Sequence, residues 1–383
     1  MKSDIRTLFT QNSLESDEIL EKTIEFGTDY LRGGWNLLEK NEVEVTQITG
    51  GQSNLIYLAS SKSRKLSSET PSCFLIRIHC QPPSQVFNDT VIFSVMSERK
   101  LGPKLYGFFP GGRLEEFLPS RTLDTDSIKL PEIARRVGAL FPKYHEIDVP
   151  ISKCPNALRF IKQNLEAYKQ LGGNIHKMIP YSVKYENETV RETISVNELA
   201  HEIEVFEKWT KVFDDTVVFS HNDLAPLNVL ELNDSKEIVF IDFEYSSYNW
   251  RGFDLCMFLC ENAFDYRVPP PGIWIDKEFI ENHPNLRIVC ESYIDTLYKM
   301  KESNPEQKFP LTEDKESEIE RLILECKFFI PLVNLFWAVW SLKSFLAKHD
   351  NGHNLEVAAS DRLNLYFHFK PQSEKIYEIF KNM

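Results

Sequence analysis

The sequence predicts an α+β protein of two lobes, a small antiparallel β-rich one followed by a larger, mostly helical one. Three observations carry this expectation. At 383 residues the chain is longer than one ordinary core requires. Up to residue 118 short apolar or alternating runs bounded by turn residues dominate, which is how strands read. Beyond Pro119 long stretches of helical period take over. The expected division is therefore 1–118 and 119–383, joined near Glu116–Pro119.

In chain order, residues 14–40 read as helix, with Ile19, Ile24, Phe26, Tyr30 and Leu31 at mixed helical spacing. Val43, Val45, Gln47 and Ile48 read as a strand. Thr49-Gly50-Gly51-Gln52-Ser53-Asn54 reads as a tight turn into a second strand at Leu55–Leu58. The polar run Ser60–Ser72 is expected as an exposed hairpin loop, and Phe74–Ile78 as a strand with Arg77 inside it. A helix near Asp89–Lys100 and strands around Leu105-Tyr106 and Leu114–Phe117 complete the first lobe. In the second lobe, helices are expected at Leu130–Glu146, Ala157–Leu171 and Ser195–Phe213. Short strands at Val217–Ser220 and Glu237–Ile241 interrupt them, and helices resume to the end.

Bulk properties exclude some functions. A hydrophobic content of 42% with 12% aromatic residues describes a folded globular chain. The formal charge of −13 argues against a nucleic-acid partner, which demands a basic footprint. Seven cysteines without a CxxC pair, and a start (MKSDIRTLFT) lacking an apolar signal core, lead to the expectation of free thiols in the cytoplasm. The most apolar stretch, Phe328–Leu342, is about five residues short of a bilayer span and contains Pro331 and Asn334, so a buried helix is expected and no membrane span.

The chemistry concentrates in His221-Asn222-Asp223-Leu224-Ala225-Pro226-Leu227-Asn228 and Ile241-Asp242-Phe243-Glu244. Each residue alone is an ordinary turn former. Together, two short apolar strands (Val217–Phe219 and Ile238–Phe240) deliver these polar groups at their C-terminal ends. Phosphoryl transfer needs positioning, neutralisation of phosphate charge and an acceptor for the hydroxyl proton. Asp223 suits the base or hydroxyl-orienting group. Asn228 and Asp242, with Glu244 beside it, suit a Mg²⁺ site, because Mg²⁺ prefers oxygen ligands shared with substrate phosphates. His221 is expected to brace the loop by hydrogen bonding.

HNDLAPLN followed by IDFEYSSYNWRGFD resembles the choline/ethanolamine kinase family, itself related to aminoglycoside phosphotransferases and protein kinases. The likeness runs from about Phe26 to Phe369, with ITGGQSN, FLIRI, SERKLGPKLYG and GRLEEFLPSR as further markers. The HxDxxxxN element marks the wider superfamily; DFEYSSYNWRGFD and GPKLYG are more specific. The resemblance implies a bilobal, protein-kinase-like fold with a nucleotide-binding lobe and a catalytic, acceptor-binding lobe. It implies ATP and Mg²⁺ as cofactors and phosphorylation of the choline hydroxyl, the first step of phosphatidylcholine synthesis. A homodimer is implied as well. Gly50 and Gly51 would let the Gly50–Asn54 turn, with Gln52 and Ser53, approach the ATP phosphates closely. Arg77 would contact the phosphates, and the connection carrying Glu116 and Leu118 would hold adenine.

A quaternary ammonium offers no N–H, so its site combines aromatic faces with nearby carboxylate charge. The resemblance points to Tyr245, Glu261, Tyr266, Trp337, Trp340 and Tyr366. The chain also departs from the family pattern. Ala225 and Leu227 stand where Gln and Gly are usual, Glu116 where a neutral amide is common, and Asp89 where many members have Glu. His349–Ser360 contains no aromatic residue. These departures leave open an ethanolamine kinase, or a catalytically weak kinase-fold protein that binds and regulates.

Overall fold

The computed structural model describes residues 5–48, 54–81, 83–183, 191–269, 273–303, 311–349 and 352–382. By contacts the chain divides into two units, Met1–Arg121 with Leu232–Glu244, and Thr122–Glu231 with Tyr245–Met383.

The first unit is built on an antiparallel sheet of β1 (Val43–Ile48), β2 (Asn54–Ser61), β3 (Cys73–His79), β4 (Leu105–Phe109) and β5 (Gly112–Glu115). Their order is β1-β2-β3-β5-β4. The alternation read from the sequence places Tyr57, Phe74, Ile76, Ile78 and Leu114 in the core beneath α1 (Ile5–Gln11) and α2 (Asp17–Phe26). Helix α3 (Pro83–Glu98) follows β3.

The expected helix over residues 14–40 is cut short. Helix α2, capped by the Ser16 side chain, gives way to a wider π turn over Gly27–Leu31, and Arg32, Gly33 and Gly34 all take positive φ. The reversal buries Trp35 completely. Its ring lies where a Cβ on Gly27 would stand, only 2.3 Å from ring carbon Cδ2. Burial of this one large side chain overrides the helical pattern.

The second unit contains α4 (Pro131–His145), α5 (Ala157–Gln170), α6 (Val196–Trp209), α7 (Arg251–Glu261), α8 (Lys277–Glu281), α9 (Leu286–Ser303), α10 (Lys315–Leu346) and α11 (Leu355–Lys381). Helix α6 stops at Trp209, and its expected continuation to Phe213 is a 3₁₀ stretch, Thr210–Thr216. By length and composition α10 could cross a bilayer, but 89% of its most apolar window is buried, against neighbours that include α5, α7 and α11. It is a core helix, as its Pro and Asn suggested. A buried ion pair joins it to α7, with Arg251 Nε and Nη2 donating to Glu325 at 2.8 and 2.7 Å. Gly252 permits this close approach, since a Cβ there would sit 2.8 Å from Glu325 Cβ. The strand Val217–Ser220 pairs antiparallel with Ser247–Trp250, so residues 221 and 246 stand side by side at one end of the ladder.

Candidate active site

The loop after Val217–Ser220 is held by its backbone. Asp254, buried on α7, accepts the His221 N–H (2.8 Å) and the Asn222 N–H (2.7 Å). The third donor to this carboxylate is His145 Nε2 on α4, at 3.1 Å. Burial lowers the His145 pKa despite the carboxylate, so the ring stays neutral and its Nδ1 takes the Tyr293 hydroxyl at 2.9 Å. The His221 carbonyl accepts from Ser246 Oγ. The His221 main chain is thus tied to Asp254 and Ser246.

Asn222 takes φ 66°, a left-handed conformation that Asn tolerates better than most residues. Its amide fixes this geometry. Nδ2 donates to the Tyr245 carbonyl (3.0 Å) and Ser247 Oγ (2.9 Å), while Oδ1 accepts from Asn249 Nδ2 (2.7 Å). Asn249 Oδ1 in turn accepts the N–H groups of Asn156 and Ala157, both at 2.8 Å, where α5 begins. Asp223 is therefore presented by a loop locked from α7, α5 and the ladder at once. A 3₁₀ turn, Pro226–Asn228, brings Asn228 back to it, with Nδ2 donating to the Asp223 carbonyl (2.8 Å) and Oδ2 (3.1 Å). Leu224 is fully buried beneath the loop, whereas Leu227 is 64% exposed. The departure from glycine at Leu227 thus projects outward, and the Asp223–Asn228 contact is kept.

An aromatic and acidic cluster lies in the same unit. Trp337 packs edge-on against Tyr245 (5.3 Å between centroids) and Trp340 (5.6 Å). Its indole nitrogen donates to Met257 Sδ at 2.9 Å. Met257 is one helical turn before Glu261 on α7, so the rings and the carboxylate share a helix face. Glu261 is buried, and its Oε2 accepts the Tyr266 hydroxyl at 2.5 Å. Burial first, then the Glu261 charge, pushes the Tyr266 phenol well above its ordinary value, and Asp223 adds to the same push. The hydrogen bond from Asn222 Nδ2 to the Tyr245 carbonyl ties the cluster to the loop. Tyr366 stands apart. It is fully buried, donates to Glu202 Oε2 at 2.5 Å and packs on Phe206, so its ring belongs to the core of α6 and α11 rather than to an acceptor pocket.

In the first unit Arg77 is no solvated edge charge. It lies on central strand β3, buried, with Nε donating to Glu115 Oε1 at 2.6 Å. Arg113 Nε donates to the same oxygen at 2.6 Å, and its Nη1 pairs with Asp89 of α3. Burial alone would raise the Glu115 pKa, but the two guanidinium groups hold it at about 2. Burial likewise opposes the charge on Arg77, yet Glu115 and Asp242 raise its pKa further. Asp242 takes φ 66°, a strained conformation of the kind that accumulates at functional sites. The next residue, Phe243, packs against Gly102 of the GPKLYG segment, where an added Cβ would stand 3.3 Å from the ring. Glu244 Oε2 accepts from Gln81 Nε2 at 2.6 Å. Glu116 pairs twice with Lys104, its N–H donating to the carbonyl (2.8 Å) and its carboxylate accepting the N–H (3.0 Å). The Leu118 carbonyl accepts from Ser120 Oγ at 2.9 Å. Gly50, Gly51, Gln52 and Ser53 lie outside the described residues; Asn54 opens β2 opposite His79.

Among the described residues no group of three or more His, Cys, Asp or Glu side chains is arranged to hold a metal by itself. Asn228 in the second unit and Asp242 in the first each carry an oxygen donor of the kind that suits Mg²⁺. Sequence reasoning missed Asp254, Asn249, Arg113 and Glu115 as supports. Asp254 was visible as the final letter of the RGFD run, but its task depends on a contact 32 residues away.

The family model for choline/ethanolamine kinase matches residues 45–367. The chain is 49% identical over 376 residues to choline kinase B2 of Caenorhabditis elegans, covering 98% of both chains. It is 29% identical over 364 residues to the human choline/ethanolamine kinase, covering 91% of this chain and 86% of that one. Among solved structures, choline kinase from Cryptosporidium parvum superposes with a TM-score of 0.71 at 20% identity, over 93% of this chain and 97% of the other. That likeness shows the kinase-like fold. With the family model covering most of its length and a curated relative at 49% identity, the chain belongs to the choline/ethanolamine kinase family.

Proposed function

We propose that this enzyme transfers the γ-phosphoryl group of ATP to the hydroxyl of choline, giving phosphocholine and ADP, with ethanolamine as the alternative acceptor. The carrying observation is Asp223, held by a braced loop beside the cluster of Tyr245, Trp337, Trp340 and Glu261. Asp223 accepts the hydroxyl proton as the oxygen bonds to phosphorus and the bond to ADP breaks. Asn228, Asp242 and Glu244 would supply oxygen ligands to Mg²⁺, whose charge would offset that of the phosphates. Arg77, its Nε fixed by Glu115, turns its remaining donors to the phosphates, and the segment from Glu116 to Leu118 receives adenine. The aromatic faces hold the ammonium group. The same reading carries the first step of phosphatidylcholine synthesis, a cytoplasmic location and a homodimer. That all seven cysteines are free is compatible with that location.

The test is ADP release with Mg²⁺-ATP and choline, ethanolamine or an aminoglycoside. Choline should stimulate turnover, and Asp223→Ala should lower kcat by about a hundredfold or more. An unaffected Asp223→Ala enzyme would remove the base. A wild type silent with every amine would leave the kinase-fold binding protein as the better reading.

A further inference from the structure

The acidic end of the acceptor cluster contains a cation of its own. Arg362, buried on α11, donates through Nη2 to Glu261 Oε1 at 3.2 Å and lies over the Phe264 ring at 4.3 Å. Since Oε2 takes the Tyr266 hydroxyl, both oxygens of Glu261 already have a donor, and its charge is balanced within the protein. The other terminal nitrogen of Arg362, Nη1, is buried with no hydrogen-bond partner among the described residues. This end of the cluster therefore holds a surplus of donors.

We propose that Arg362 sets the amine preference of the enzyme. By occupying Glu261 it favours an acceptor whose nitrogen is fully methylated over one that carries N–H groups. The inference rests on the acceptor site proposed above. A primary ammonium brings three N–H donors, each of which must find an acceptor once water is excluded. Here it meets a carboxylate already engaged and a guanidinium N–H also in need of a partner. A trimethylammonium makes no such demand. Its attraction comes from the faces of Tyr245, Trp337 and Trp340, for which Arg362 does not compete. Without Arg362 the charge of Glu261 would be unbalanced and its Oε1 open to the substrate, while Oε2 stays with Tyr266. A primary ammonium could then reach hydrogen-bond distance, while methyl groups hold a quaternary nitrogen farther away. The gain would be unequal because the attraction falls with distance.

The experiment measures kcat/KM for ethanolamine, its N-methyl and N,N-dimethyl forms, and choline, at saturating Mg²⁺-ATP. In the wild type it should rise with each methyl group. In Arg362→Met the choline-to-ethanolamine ratio should fall at least about tenfold, the effect of one charge-assisted hydrogen bond gained by the primary amine. The KM for ATP should not move. Arg362→Lys, which keeps the charge but loses the planar fork, should shift the ratio the same way by less, and decides the matter if the Met variant does not fold. A wild type that prefers ethanolamine, a folded variant with the wild-type ratio, or equal losses for all four amines would overturn the inference. Wild-type enzyme that phosphorylates none of the four would overturn the kinase reading itself, and the inference with it.

Discussion

Asp254→Asn tests whether the active loop is set by a buried carboxylate. The side chain is 1% exposed and accepts three hydrogen bonds, from the His221 and Asn222 backbones and from His145. An amide of the same shape has one acceptor oxygen. Turned to keep His221 and His145, it sets its NH₂ against the Asn222 N–H, donor against donor. The orphaned donor costs about 1–3 kcal/mol, and each surviving bond loses about 1 kcal/mol on becoming neutral. The total is roughly 3–5 kcal/mol of stability. Asp223 is the next residue in the chain, so a shift of the loop should also lower kcat, by about a hundredfold. Urea unfolding followed by tryptophan fluorescence gives the first quantity and ADP release the second. A variant within 1 kcal/mol of wild type, with normal kcat, would refute the argument that Asp254 sets the loop.

Arg113→Met should raise the KM for ATP and leave that for choline unchanged, because Glu115 would lose one of its two partners and Asp89 its tie to β5. Matched KM values check it, and equal losses for both substrates would reduce Arg113 to a folding residue. Trp340→Ala should raise the KM for choline by about thirtyfold, the worth of a desolvated cation–π contact, without changing that for ATP. Stability should fall as the pH drops below about 6.5. Burial lowers the pKa values of His176 and His283 to about 4 and that of His145 in the same direction. The unfolded chain therefore takes up protons first, and the stability these neutral rings contribute above pH 6.5 is lost toward pH 4. The slope is at most about 1.4 kcal/mol per pH unit for each ring. Urea midpoints between pH 7.5 and 5 measure it, and a flat profile would contradict the assignment.

What the sequence by itself determined is local in origin. The strands of the first unit were legible as alternation, and α10 as a core helix from its Pro and Asn, although its length alone would allow a span. Asp223 and Asn228 could be paired because a five-residue turn has few ways to run, and Trp337 with Trp340 because residues three apart share a helical face. The two-lobe pattern and the motifs together were enough to identify the family. Only the tertiary structure decided the rest. Whether α2 runs on to residue 40 depended on Trp35 finding its pocket against Gly27. The family pattern points to Tyr366 as a pocket wall, whereas its full burial and its hydrogen bond to Glu202 put it in the core. Asp254 and Asn249 stand in a recognisable motif, but what they and Arg362 bind could not be read locally, since their partners lie 32, 93 and 101 residues away. A charged side chain is stabilised or destabilised by whatever faces it after folding. That partner is set by packing of whole helices, which no short window of sequence contains.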